Sequence, residues 1–188
     1  ESLEKRPLFT MGKEATISFG IVIAHHSVPL AIALENLWEA EDQAKEHYYN
    51  YYNEKGEKKK NEKDAVEVRV LYSSGNILKA RAKFEIFNNW KQLINMSNME
   101  PGIFEICADL LNQHLIPKKE AIAPWVKYFC NQRSNLKDNK EEFEQKLREF
   151  MENLWEKTLE KEFNCELKNW LKIGAFVLRN REIKISSS

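Results

Sequence analysis

The chain is short of residues that interrupt or staple a backbone: 6 glycines, 5 prolines and 3 cysteines among 188 residues. Cys107, Cys130 and Cys165 stand far apart with no C-x-x-C spacing, which argues against a zinc site or a disulfide framework and for reduced thiols. No apolar run approaches the roughly 20 residues that span a bilayer. The opening ESLEKRPLFT lacks the apolar stretch of a secretory signal, so a cytoplasmic location is the expectation. Net charge is missing as well, with 29 basic residues against 29 acidic ones. Any contact with nucleic acid must therefore come from a local patch. No P-loop, dinucleotide fingerprint, H-E-x-x-H, EF-hand loop or G-x-S-x-G occurs. What remains is 43% apolar and 11% aromatic, enough for one good core or two small ones. Lys and Glu dominate the charged residues, a bias common in hyperthermophile proteins.

Residues 1–14 are mixed and carry no initiator Met, as if the chain began inside a domain. Residues 15–24 read as a central strand, with Ile17, Phe19, Ile21 and Ile23 alternating with Thr16, Ser18, Gly20 and Val22. Ser27 is placed to cap a helix from about Pro29 to His47. That helix's apolar stripe (Leu30, Leu34, Leu37, Trp38, Ala44) is expected to be its buried face. The stretch YYNYYNEKGEKKKNEKD over 48–64 reads as an exposed connection or insertion. Its Lys58-Lys59-Lys60 run beside four tyrosines has the composition of an RNA contact, diluted by Glu54, Glu57 and Glu62. Ala65–Tyr72 and Ile77–Phe87 alternate around Ser73-Ser74-Gly75-Asn76 and read as a β-hairpin, although ILKARAKFEIF also tolerates a helix.

From Asn88 onward the pattern is helical. Asn88 or Asn89 would cap a short helix around Trp90–Met96, and Pro101-Gly102 opens another through Leu115. A third starts at Pro117, is bent or interrupted at Pro124 and ends near Gln132. Asp138 would cap the longest, carrying Phe143, Leu147, Phe150, Leu154, Trp155 and Phe163, and a last helix covers about Cys165 to Leu178. The expected class is α+β: a sheet with a helix over 1–87, then an α-helical bundle over 88–188.

Few side chains stand out for chemistry. His25 and His26 sit at a strand end, where neighbouring side chains point to opposite faces, so they are read as one packed and one exposed histidine, not as metal ligands. His47 and His114 have no cysteine or carboxylate cluster at ligand spacing and read as structural. Gly20 inside a strand implies close approach by a ligand or another backbone. Glu141, Glu142, Glu144 and Glu149 mix with Lys146 and Arg148 as on a solvated helix face. Lys168, Lys172 and Arg179 align on the last helix and would reach RNA phosphates or another subunit, with plain solubility as the alternative.

T-I-S-F-G at 16–20 followed by A-E-D-Q-A-K at 40–45 resembles the TvSxG…A(D)xAxYxAK signature of the GGDEF-like palm superfamily. Within it, IVIAHHSVPL at 21–30 and LKIGAFVLR at 171–179 resemble the large subunit of type III-B (Cmr) CRISPR RNA-silencing complexes. The resemblance implies the C-terminal half of a ferredoxin-like palm followed by a helical domain. It assigns Ser18 and Gly20 to the strand beside the catalytic hairpin, and Lys45 to a nucleotide phosphate, a role that suits lysine as a point charge. Lys63 would stand in for a family arginine, because Tyr48-Tyr49 occupy the place of Gly-Arg, a departure that argues against a diguanylate cyclase. The acidic GGDD hairpin that would hold two divalent cations is absent from 1–188, as is an HD nuclease motif.

The resemblance therefore implies a C-terminal fragment, catalytically silent and binding no cofactor alone. Its parent would use ATP with Mg or Mn to make cyclic oligoadenylates on target-RNA binding. Implied partners are the small helical, backbone and palm-pairing subunits of the complex, together with guide and target RNA. Two alternatives stay open: a non-enzymatic scaffold or interaction module, and a remnant of a GGDEF-type signalling cyclase.

Overall fold

The structure, a computed structural model, describes residues 16–97, 99–113, 117–136 and 139–181. It is an α+β fold in which a small mixed sheet with one flanking helix leads into five helices. Strand β1 (Phe19–Ala24) is followed by helix α1 (Leu30–Glu46), the ribbon strands β2 (Tyr48–Tyr52) and β3 (Lys58–Glu62), then β4 (Ala65–Leu71) and β5 (Ile77–Lys83). Helices α2 (Phe84–Ile94), α3 (Pro101–Gln113), α4 (Lys119–Asn131), α5 (Lys140–Glu156) and α6 (Glu160–Arg179) complete it. The main sheet has the order β1-β4-β5, with β1 parallel to β4 and β5 antiparallel to it. β2 and β3 pair with each other as a separate antiparallel ribbon. The crossover through α1 and the ribbon supplies the length that parallel strands require.

β4 is central and buried along its whole length. Val66, Val68 and Val70 face the helices and join one continuous apolar core with Ala80, Ala82, Trp90, Phe104, Phe150 and Trp170. That core spans the sheet and all five helices, and position 87 falls inside α2. The alternate residues of β4 lie beneath α1, so the polar half of its alternating pattern is covered by a helix rather than by water. Glu67 and Arg69 there satisfy each other at 2.7 Å, and Arg69 also reaches Asn36 and Glu39 of α1 at 3.0 and 2.7 Å. Burial of such charges is tolerated only because every one is paired.

The two outer strands are finished in different ways. The outward backbone groups of β5 bond side chains of α6: Arg81 N–H donates to Glu166 Oε2 at 2.6 Å, Trp170 Nε1–H donates to Arg81 O at 3.1 Å, and Asn169 Nδ2–H donates to Lys79 O at 2.8 Å. Among the described residues no strand pairs with the outer edge of β1.

Several expectations need correction. The 48–64 stretch is a hairpin, not a loop: the tyrosines have strong strand propensity. Its turn at Asn53–Gly56 is held by Asn53 Oδ1, which accepts from the Lys55 and Glu57 N–H groups, and by Gly56 at φ +74°. β5 stops at Lys83 and α2 begins at Phe84, four residues before the expected cap at Asn88. The amphipathic run Ile86, Trp90, Leu93, Ile94 is buried at helical spacing. Ser27 does not cap α1; its hydroxyl bonds His25 Nδ1 at 2.7 Å, and Pro29 occupies the cap position without a side-chain bond. Of the expected buried stripe of α1, Ala44 faces the sheet, joined there by Asn36 and Ala40, whereas Leu30 and Trp38 are 73% and 61% exposed. Small residues win that face because α1 lies so close to β1. The long C-terminal helix breaks at Lys157–Leu159, earlier than the expected junction near residue 164, and restarts with Glu160 and Glu162 in the favourable first turn. The expected cap Asp138, and His114, lie outside the described residues.

Candidate functional site

Ser18, the end of α1 and Lys63 meet at one end of the sheet, where β4 begins. Ser18 Oγ accepts the Ala65 N–H at 3.3 Å, which fixes the start of β4 against β1. Gly20 sits farther along β1, beneath α1. A Cβ at Gly20 would lie 2.7 Å from Ala40 Cβ, 2.8 Å from Glu41 N and 2.9 Å from Leu37 O, so the close approach it permits is that of the α1 backbone. Lys45 lies in the last turn of α1, exposed, and pairs with Glu41 at 2.7 Å and Asp42 at 3.8 Å. Lys63 is exposed, with φ +59°, in the sharp turn between β3 and β4 that also holds Asp64 at φ +52°.

The fastener of this end is Lys83, which sequence reasoning passed over. Its side chain is buried, and Nζ donates to the carbonyls of His47 at 3.4 Å, Asn61 at 3.2 Å and Lys63. One ammonium with three N–H groups thus ties the end of α1 to both roots of the ribbon. Burial pulls the Lys83 ammonium down to about 8, opposed by the nearby Asp64 and Glu62 charges. Burial also holds His47 near 3, helped by the Lys83 and Arg81 charges, so its imidazole is neutral. His47 is structural in position, and among the described residues no hydrogen bond reaches its Nε2.

The cations of α6 lie elsewhere. Lys172 and Arg179 line a cavity of about 510 Å³ beside Tyr72, Asn76 and Leu78, at the opposite end of β4. Glu105 and Asp109 share that cavity, and Arg179 is ion-paired with Glu105. Lys168 is one turn before Lys172 and half-buried. The two groups of expected site residues are therefore at opposite ends of the sheet. His25 and His26 are both exposed in a turn beyond β1, with ring centroids 4.2 Å apart, so the expectation of one packed ring is corrected. The chain leaves the strand at Ala24, so the alternation of faces no longer applies to them.

Glu166 is a second group that the sequence hid. It lies buried between β5 and α6, accepts the Arg81 N–H, and stands 3.9 Å from the Arg81 guanidinium. Burial lifts its carboxyl to about 7 despite the Arg81 bond and charge, which favour ionisation. The signal for it was faint, one glutamate on the apolar side of a helix. No helix among the described residues is long and apolar enough to cross a membrane. No family model matches the chain, and a search of curated proteins returns no match.

Proposed function

We infer that this chain is the C-terminal portion of the large subunit of a type III-B (Cmr) CRISPR effector complex, working in the cytoplasm. In this reading β1, α1 and β4 form one wall of an ATP-binding palm, and the helices meet the other subunits. The reading rests on the resemblance of residues 16–45 and 171–179 to that family. The observation that carries it in three dimensions is the asymmetry of the sheet: β5 is closed by α6, while β1 has no strand partner among the described residues. A palm built on this half gains its acid-bearing hairpin on the β1 side. With ATP and Mg or Mn, the acidic hairpin would supply metal-assisted attack of a 3′-hydroxyl on an α-phosphate. This chain's own share would be the strand floor at Ser18 and Gly20, with Lys45 and Lys63 at the rim as phosphate contacts.

The test begins with the coding sequence ahead of Glu1, expected to encode Gly-Gly-Asp-Asp between apolar strands; its absence would remove the catalytic reading. In the assembled complex with guide and target RNA, Lys45→Ala is expected to weaken ATP binding about tenfold, the order of one charge-assisted phosphate contact. Unchanged affinity would take Lys45 out of the site. The scaffold reading keeps two observations in its favour: α1 already fills the space beside Gly20, and Lys45 already has two carboxylate partners. It expects no ATP binding even by the complete subunit.

A further inference from the structure

The β2–β3 ribbon carries chemistry that neither the sheet nor the core uses. Register fixes its two faces. Tyr48, Asn50 and Tyr52 share one face with Glu62, Lys60 and Lys58, which stand directly opposite them. Tyr49 and Tyr51 share the other face with Asn61 and Lys59. Tyr49 turns toward the body of the molecule, where its ring lies 5.5 Å from Lys83 Nζ. The second face keeps Tyr51 and Lys59 exposed, and the first is the more open at the tip. Tyr52 is 73% exposed near the tip, and Lys60 Nζ sits 3.9 Å over the Tyr48 ring at the root.

That face runs on into a cleft of about 740 Å³, where Tyr48 is joined by Trp155, Lys118, Lys161, Asn164 and Glu160. Lys118 and Lys161 are exposed. From Tyr52 to Tyr48 the strand covers about 13 Å. Aromatic rings and ammonium groups therefore alternate along one continuous path from the ribbon tip into the cleft. Glu62 pairs with Lys60 at 2.6 Å, and among the described residues Lys58, Lys118 and Lys161 form no ion pair in that path.

We propose that the outward face of the β2–β3 ribbon and the cleft at its root bind single-stranded nucleic acid, with bases stacked on Tyr52, Tyr48 and Trp155 and phosphates beside Lys58, Lys118 and Lys161. Rings offer a face to any base, and lysines track the backbone, so the site is tolerant of sequence. An acidic protein surface would use the lysines but has no use for rings spaced along a strand. This goes beyond the palm reading, because it assigns a strand-binding surface to this chain itself and holds whether or not the parent makes a messenger.

The test is fluorescence anisotropy with the 188-residue chain and labelled single strands, RNA and DNA separately, each about 12 nucleotides long, without ATP. Tyr52→Ala is expected to weaken binding about tenfold and Tyr52→Phe to leave it within about twofold. Because Tyr52 projects into solvent, the alanine variant keeps its fold, which circular dichroism verifies. Lys58→Gln and Lys118→Gln are each expected to lower the salt slope by about 0.7. A preference for RNA over DNA would identify a contact to the 2′-hydroxyl; equal affinity would mean stacking and charge alone, and both support the surface. No binding, equal affinity for a blunt duplex, or no effect of Tyr52→Ala would overturn it. Displacement of the strand by polyglutamate at matched charge would assign the surface to an acidic protein instead. An unchanged salt slope in Lys118→Gln would remove the cleft from the path.

Discussion

The β5 border and the β1 border of the same three-stranded sheet make opposite use of polar and apolar side chains. Along β5, three side chains of α6 bond outward backbone groups, and Trp170 packs tilted against Trp90 and Phe87 with centroids at 5.0 and 5.8 Å. Trp90 Nε1–H in turn donates to the Trp170 carbonyl at 3.0 Å. Along β1 one face packs on the common core through Phe19, Ile21 and Ile23, and the other meets α1, which uses Ala40 and Ala44 for contact and turns Leu30, Leu34 and Trp38 away. One border is completed by polar atoms inside an apolar core; the other presents apolar atoms to solvent. Among the described residues no strand covers the half-buried edge of β1, and an unpaired edge beside apolar side chains is what proteins ordinarily avoid unless something occupies it.

This contrast can be broken at its strongest point. Trp170→Ala removes a fully buried ring and the bond to Arg81 O, and is expected to cost about 4 kcal/mol in urea denaturation. Gly20→Ala strikes the other border, forcing α1 off β1, and is expected to cost about 3 kcal/mol, since the backbone atoms it meets cannot rotate away.

Glu166→Gln is expected to stabilise, and its pH dependence carries the sign. The carboxyl titrates near 4.5 when unfolded and near 7 when folded. The folded chain therefore holds a proton that the unfolded chain has released between those values. Stability linked to Glu166 is full below about 4.5 and is lost as pH rises to about 7. The amide still accepts the Arg81 N–H but never ionises. Melting curves at pH 5 and pH 8 should show a gain on the order of 2 kcal/mol for the variant at the higher pH only. The smallest effect sharpens the comparison: Trp38→Ser is expected to change stability by less than about 0.5 kcal/mol, because the ring contributes nothing to the core. A large loss there would mean that α1's outer face already has a partner within the chain.

The sequence was legible where one rule decided the outcome. Strict alternation through Val66, Val68 and Val70, with Gly75 at φ +83° in the turn, gives the β4–β5 hairpin directly. It misled where two rules competed. Phe84–Phe87 alternates and also fits a helix; burial of Ile86 and Trp90 on one side settles it as helix. In α1 the large apolar residues pointed to one buried face, but a glycine-lined strand admits only small residues at contact. The ribbon was hidden because its composition is that of a loop, and its anchor, Lys83, lies about 20 residues away in sequence. Of the expected site residues, Lys63 is held at one end of the sheet by that anchor and Ser18 by the Ala65 N–H, an arrangement no local pattern encodes.

The Lys83 ammonium has a mechanical consequence. One cation fastens both feet of the β2–β3 arm to the end of α1, while the Asn53–Gly56 bend at the far end takes no part in that fastening. Lengthening or trimming the Asn53–Gly56 bend would leave the rivet untouched, whereas acylating that one amine would remove its charge and leave a single N–H for three carbonyls.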